Sequence, residues 1–548
     1  MTGSETGSDA AGDVGRSGAG PDPLLGLDLP ERAEGTARWC FADQLGDHFV
    51  DDGSDVVLVE TTAVFRRRVF HRRKAHLVLS ALRHRAAGLG ERARYVRAAT
   101  YVEGLAAAGV GPETPVSVCN PTTWGARRLV RRLADGEVGP GAGSVQVVRE
   151  RGFASGHHDF VTWARGRGEK RLLQDDWYRG QRRRLGLLLE GDGQPVGGRW
   201  SYDDENRERP PKGVTTLSEA VTTAPLTPLP DPWWPEEDEI DAEVRADLDR
   251  MARDGVQFVG EDGPRRFAVT TGEAEAALRH FLEHRLDAFG PYEDAMLAGD
   301  RWMAHSLLSV PINLGLLDPV DVARAAEARL QHGARLASVE GFVRQVIGWR
   351  DYVWQLYWQQ GEAYRDRDAL HAGTPLPSWF ADLDAAGTVT ARCLSDVLGS
   401  VREEGWAHHI PRLMVLGNWA LQHGYDPQAM TDWFHRSFVD GYDWVMVPNV
   451  VGMSLHADGG VMATKPYASG GAYIDRMSDY CRPCRYDPKV RVGETACPFT
   501  AGYWGFVDRH ADVMGANPRT SRAVAGLRRL SDREALLRQE ADRGDAAP

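Results

Sequence analysis

CRPCRYDPKVRVGETACP, residues 481–498, sets three cysteines in the pattern Cys-x2-Cys-x12-Cys-Pro, and Cys393 lies well upstream. Together Cys393, Cys481, Cys484 and Cys497 read as one metal centre that ties the far end of the chain together. Two cysteines separated by two residues can point at a single ion or cluster. Thiols at this density, in a chain without a secretion signal, are metal ligands more often than disulfides. Zinc and an iron–sulfur cluster both accept four sulfurs. The Cys497-Pro498 step and the distant first ligand favour a cluster, since a zinc ribbon would supply a second close pair. Cys40 and Cys119, in RWCFADQL and VSVCN, read as small buried hydrophobes.

Working outward from that centre, strand signals are missing from about residue 241 onward. TGEAEAALRHFLEHRL (271–286), DVARAAEARLQHG (321–333) and VEGFVRQVIGWRDYVWQLYW (339–358) carry apolar residues at helical spacing. Residues 251–548 are therefore expected to be an all-α domain closed by the metal site. The N-terminal part has another rhythm. RWCFADQL, DVVLVET, ARYVRA and VSVCNP are short apolar runs separated by helical stretches such as HLVLSALRHRAAGL (76–89), the signature of a parallel α/β domain with a Rossmann-like sheet over 37–165. Asp43, Gln44 and Glu60 then fall at the carboxyl ends of strands, where such sheets place ligands. No Gly-x-Gly-x-x-Gly follows the first strand, which weakens a dinucleotide reading. Residues 166–250 are expected to be an interdomain connector, rich in Pro, Gly and acids over 190–240. Residues 1–36 lack large apolar side chains and read as a disordered tail.

The 548 residues are 42% hydrophobic, with 17 tryptophans, enough for a large core. A net charge of −13 argues against indiscriminate coating of nucleic acid. The cations are nonetheless grouped in FRRRVFHRRK (65–74), RRLVRRL (127–133) and RGQRRRLG (179–186), each either a local anion-binding surface or a solvated helix face. No apolar stretch approaches the ~20 residues of a membrane span and no signal peptide is visible, so no membrane partner and a cytoplasmic location are expected.

An ordered set of segments resembles the photolyase and cryptochrome superfamily, in its bacterial iron–sulfur branch. The set comprises ADQL (42–45), HRRKAHLVLSALRH (71–84), VGGRWSYDDENR (196–207), FGPYEDAM (289–296), HSLLSVPINLGLLDP (305–319), HHIPRLM (408–414), VPNVVGMS (447–454), TKPYASGGAYIDRMSDYCRPC (464–484) and the four-cysteine spacing. The resemblance implies an N-terminal antenna-chromophore domain and a helical domain holding FAD. It also implies a [4Fe-4S] cluster on the cysteines, and light-driven repair of (6-4) pyrimidine-pyrimidone lesions in UV-damaged DNA by a monomer.

The hydroxyls of Tyr292, Ser306 and Ser309 can hydrogen-bond a pyrophosphate, or simply cap a helix. By resemblance, Glu340, Arg344, Arg350, Arg412, Asp443 and Asn449 would line the flavin, with Asn449 near its reactive edge; ion pairing on a helix surface is the plainer role for the arginines. Moving a hydroxyl back between two bases requires proton transfer as well as an electron, and imidazole suits that task near neutral pH. His409, beside His408, matches the lesion-facing histidine of the family and is expected to donate the proton. Tyr467 would touch the flipped bases. Asp43, Gln44, Leu45 and Glu60 match an antenna site for 6,7-dimethyl-8-ribityllumazine, with ADQL in place of GDQL.

Trp433 and Tyr442 match electron-transfer positions. Ala385, in ADLDAAGTVTARC, stands where the family has a tryptophan, so photoreduction is expected to be rerouted. Two other readings remain: a blue-light sensor of the same fold with little repair, and a flavin-free, metal-stapled nucleic-acid-binding module.

Overall fold

Val56–Thr61 (VVLVET) is buried along its whole length, as a central parallel strand covered on both faces must be. The structure, a computed structural model, describes residues 29–548 except Asp52 and 224–226. Five parallel strands, β1 (Ala37–Cys40), β2 (Val56–Thr61), β3 (Ala93–Ala98), β4 (Val116–Cys119) and β5 (Val145–Val148), pair in the order β3-β2-β1-β4-β5. The order reverses between β1 and β4, and a crevice opens there at the carboxyl ends of the strands.

The remainder is mostly helical. Its core holds Trp354, Trp358, Trp419, Trp433 and Trp444, each at most 2% exposed. Burial of one such side chain contributes roughly 1.5–3 kcal/mol or more. The two parts also share a core. Leu45, Val56 and Leu58 pack in one apolar cluster with Leu308, Ile312, Leu314 and Val343, and the Leu45 N–H donates to the Leu314 carbonyl at 3.0 Å.

Three expectations change. Within 166–250, helices Gln174–Leu185 and Glu239–Arg253 pack against the helical domain and against helix Arg72–Leu89, so only the intervening stretch behaves as a connector. The tail expected over 1–36 lies outside the described residues up to 28. Beyond it, Pro30 accepts from the Arg149 N–H at 2.9 Å and Glu31 pairs with Arg149, tying this segment to the sheet domain.

Part of each basic run proves to be an internal tie, while Arg66, Arg67, Arg68, Arg128, Arg131, Arg132 and Arg183 stay exposed. Arg73 Nη1 reaches Glu404 at 2.6 Å, and Lys74 Nζ donates to the carbonyls of His435 (2.6 Å) and Gly441 (2.5 Å). Arg127 lies 4.8 Å over the Trp358 ring, and Arg182 donates to the carbonyls of Leu188 (2.6 Å) and Trp200 (2.8 Å). A guanidinium with its carbonyl partners inside the fold is not offered to a phosphate. Among the described residues, no helix is long and apolar enough to cross a membrane.

Candidate functional site

Three π-helical turns, Arg344–Arg350, Pro411–Gly417 and Pro448–Ser454, interrupt the helices of this half. A turn with one extra residue re-aims its side chains, and such turns gather at functional sites. From the second turn, Arg412 grips Asp440 through Nη1 (2.9 Å) and Nη2 (3.1 Å), donates from Nε to the Ala407 carbonyl (2.6 Å) and lies 4.2 Å over the Phe438 ring. Ser309 Oγ donates to Asp440 Oδ2 at 2.9 Å. The structure thus brings Ser309 and Arg412 together around Asp440, a residue that sequence reasoning passed over. The VDGYD segment holds two acids, and Asp443 was the one matched. Asp443 instead accepts from Tyr357 Oη (2.9 Å) and Arg365 Nη1 (2.7 Å), facing the interdomain cleft. Asn449 turns back on its own helix, donating to the Val445 carbonyl at 2.9 Å.

His409, 47% exposed, stands at the mouth of the helical domain with Nε2 3.7 Å from Asp294 Oδ1. Beneath it His408 is buried, its ring stacked at 4.2 Å on that of His305. Burial and the neighbouring imidazoles pull both His305 and His408 well below the usual histidine range, so both are neutral bases. Next to Asp294, Glu293 is pushed up to about 7 by burial, which the nearby Arg344 only partly offsets. Arg344 approaches Asp203 (3.1 Å), Glu340 (3.4 Å) and Glu293 (4.0 Å), and Glu340 Oε2 accepts from the Tyr202 N–H at 2.9 Å. Glu340 Oε1 and Arg344 Nε and Nη2 are buried without a hydrogen-bond partner among the described residues. Glu340 Oε1 and Arg344 Nε face each other as an ion pair at 3.4 Å, so Arg344 Nη2 is the donor left to bond a polar cofactor such as FAD. Tyr467, raised by burial, has Arg207, Asp203, Arg519 and Asp294 among the charges around it, and Asp294 is the acid that His409 also approaches.

Three further flavin candidates make contacts of their own. Tyr292 is near Glu208 and Arg335. Ser306 Oγ accepts from the Leu308 N–H at 3.3 Å, closing a local turn. Arg350 joins the two domains, donating to Asn313 Oδ1 (3.3 Å) and the Gly152 carbonyl (2.9 Å) and lying over the rings of Phe153 and Trp444.

The four cysteines converge. Cys393 on helix Arg392–Glu404, Cys481, Cys484 and Cys497 at the start of helix Pro498–Arg509 line one cavity with Tyr480, Tyr486 and Phe499, and no acid or histidine joins them. All four are free thiols. A Cβ on Gly471 would stand 2.7 Å from Cys497 Sγ, so only glycine allows the sulfur its place. Burial and the other three cysteines hold the Cys393 thiol well above its ordinary value, and Cys481 is raised to about 12. Thiols arranged this way deprotonate only with a cation among them, which is what an all-sulfur metal site provides. Cys40 and Cys119 are buried in the sheet domain, away from this site.

At the sheet's reversal point, Thr122 Oγ1 donates to Asp43 Oδ2 at 2.5 Å, and burial raises the Asp43 carboxyl. Gln44 Nε2 donates to the Cys119 carbonyl (3.3 Å), and Leu45 is in the core. Glu60 is engaged otherwise. It holds Arg83 Nε and Nη2 at 2.9 and 2.8 Å and accepts from Tyr95 Oη, in an ion cluster with Asp247. A cleft of about 640 Å³ between the domains, lined by Thr123, Trp124, Arg128, Tyr357, Arg365 and Tyr442, opens beyond Thr122. Buried Trp433 lies 5.0 Å from Phe380 and 6.0 Å from Phe438, on the far side of Arg412.

Comparison with known proteins gives three findings. The family described as deoxyribodipyrimidine photo-lyase-related protein matches residues 38–260. The (6-4) photolyase of Agrobacterium fabrum is 40% identical over 495 residues, covering 88% of this chain and 92% of that one. Two solved structures align at 14% identity. One is a bacterial class III photolyase from Agrobacterium tumefaciens (TM-score 0.49, 91% of this chain, 99% of that one) and the other a Synechocystis sp. PCC6803 cryptochrome (TM-score 0.48, 76% and 82%). Forty per cent identity sustained over about nine-tenths of both sequences settles the family: the chain belongs to the photolyases, in their photo-lyase-related branch.

Proposed function

We propose that the protein is a light-driven (6-4) DNA photolyase with His409 as proton donor. The observation that carries this reading is His409 itself, half exposed and 3.7 Å from Asp294, on the same segment as Arg412 of the Arg412–Asp440 pair. Reduced FAD, when bound, supplies the photoexcited electron. Ser309, Arg412, Asp440, Glu340 and Arg344 are the residues that would hold it. His409 Nε2 gives its proton to the migrating hydroxyl and recovers it when the electron returns, so that the repair is a net isomerisation. Asp294 Oδ1, 3.7 Å away, steadies the protonated ring before the first of those events and again after the second. The damaged pair is cheaper to flip than an intact one, which directs the lesion to this mouth. Exposed Arg207, Lys465, Arg476 and Arg519 would carry the phosphates on either side.

The all-sulfur site would hold a [4Fe-4S] cluster, and the crevice at Asp43 and Thr122, opening on the interdomain cleft, would take the ribityllumazine antenna without help from Glu60. We keep a cytoplasmic monomer in this reading. A sensor with little repair has one observation in its favour, the half-buried Ala385 in place of an aromatic side chain.

The test begins with anaerobically purified protein, assayed for flavin, iron and sulfide and illuminated with DNA carrying one (6-4) lesion. Four irons, flavin and loss of the lesion are expected, with turnover abolished and flavin retained in His409→Ala. Both chromophores without turnover would favour the sensor. Full turnover in His409→Ala would remove this residue from the mechanism.

A further inference from the structure

His305, His408 and His409 form a cluster in which one ring nitrogen of each lies within 4.8 Å of the other two. His305 is 8% exposed and His408 4%, yet His305 Nε2 and His408 Nδ1 have no hydrogen-bond partner among the described residues. Buried ring nitrogens are normally satisfied, so two left open and facing a third imidazole call for a ligand. His305 is held in place by its own loop, where Met303 (φ 46°) and Leu307 (φ 58°) both adopt left-handed conformations. One other trio of potential ligands, His84, Asp238 and Asp241, lacks this character. Asp238 caps helix Glu239–Arg253 and Asp241 closes the same capping box.

The donor set decides the class of ion. Three imidazoles and no carboxylate in the first ring suit zinc, nickel or copper and do not suit magnesium or calcium, which require oxygen. His409 is exposed, which leaves a fourth position for water, the arrangement of zinc sites with three protein ligands. Ligation requires the His305 and His408 rings to turn out of their 4.2 Å stack, a side-chain rotation that breaks no hydrogen bond of the two open nitrogens.

We propose that His305, His408 and His409 form a binding site for one divalent transition-metal ion of the zinc class, and that its occupancy withdraws His409 from proton transfer. An imidazole lone pair bound to metal cannot accept the proton that His409 must recover, so the ion acts as a reversible inhibitor. The binding stands on the geometry alone, while the inhibition rests on the reading of His409 as proton donor.

The experiment uses flavin- and cluster-loaded protein, freed of loose metal with a chelator, and Zn2+ as the probe. Calorimetric titration is expected to give one Zn2+ per chain, and the zinc absorption edge a shell of nitrogen and oxygen without sulfur. In His305→Ala the affinity falls by about tenfold or more, while metal-free lesion turnover persists. Saturating Zn2+ stops turnover of the unaltered protein, and chelation restores it. If His305→Ala does not fold to the same flavin and iron content, His305→Gln, which keeps the side-chain volume and polarity, decides. Absence of saturable binding, equal affinity in the His305 variant, or a sulfur shell pointing to the cysteines would each overturn the site. Zinc bound at the three histidines with turnover unchanged would leave the site standing and overturn both the inhibition and the role of His409.

Discussion

Arg412 and Asp440 form a two-pronged ion pair, 2.9 and 3.1 Å, with Asp440 only 6% exposed and accepting a further hydrogen bond from Ser309. Removing one partner strands the other charge in a poorly solvated place. Asp440→Ala is expected to lose about 3–5 kcal/mol of stability, together with bound flavin. A urea unfolding curve and the flavin-to-protein ratio measure both. An unchanged midpoint with full flavin would mean that the pair is solvated and dispensable.

Glu293 sets a pH dependence with a definite sign. Its carboxyl, raised by burial from 4.5 to about 7, binds its proton more tightly in the folded chain than in the unfolded one. The stability it adds is fully present below pH 4.5 and is lost as the pH rises through 7. Glu293→Gln, which mimics the protonated form, should therefore gain on the unaltered protein as pH rises between about 5 and 8. Melting temperatures of the two proteins across that range provide the comparison, and parallel curves would contradict the shift.

Cys393 is the one cysteine of the cavity that comes from outside the 481–497 loop. Cys393→Ala should reduce iron per chain and loosen the last helices, because metal binding and local folding are coupled. Iron analysis with hydrogen exchange over residues 471–509 reads both effects. Soluble variant protein with full cluster absorbance would show that Cys393 is not a ligand.

With Ala385 unable to relay charge, the aromatic contacts offer another way out. Phe438, under Arg412, meets Trp433 at 6.0 Å, Trp433 meets Phe380 at 5.0 Å, and Phe380 meets Trp379 at 5.7 Å. Trp433→Phe and Trp379→Phe should both slow light-driven reduction of the flavin, while repair by chemically reduced protein continues. Flash photolysis separates the two steps, and a Trp379 variant that photoreduces at the normal rate would exclude this branch.

Much of the architecture is legible from local pattern. The parallel sheet follows from short apolar runs set between helical stretches, and the helical half from apolar residues at helical spacing, because both depend on which face of a local element must be buried. The convergence of the cysteines is legible for a similar reason: Cys481 and Cys484 are neighbours whatever the fold, and spacing alone brings them to one cavity. The flavin candidates fared unevenly. Ser309 and Arg412 meet, but through Asp440, whereas Asp443 faces the interdomain cleft and Asn449 its own helix. Two acids three residues apart look alike in sequence, and only the approach of Arg412 distinguishes them. The π-helical turns carry no periodicity that a helical reading would detect.

The sequence by itself determined the two fold classes, the cysteine pair of the 481–484 loop and the histidine pair, since these rest on residue type and short-range spacing. Only the tertiary structure decided where the charges go. It drew Arg73, Lys74 and Arg182 inward to acids and carbonyls, took Glu60 into an ion cluster with Arg83 and set His305 against His408 from a segment about a hundred residues away. A buried charge or ring nitrogen must find its partner in space, and the separation of those partners along the chain carries no trace of the encounter.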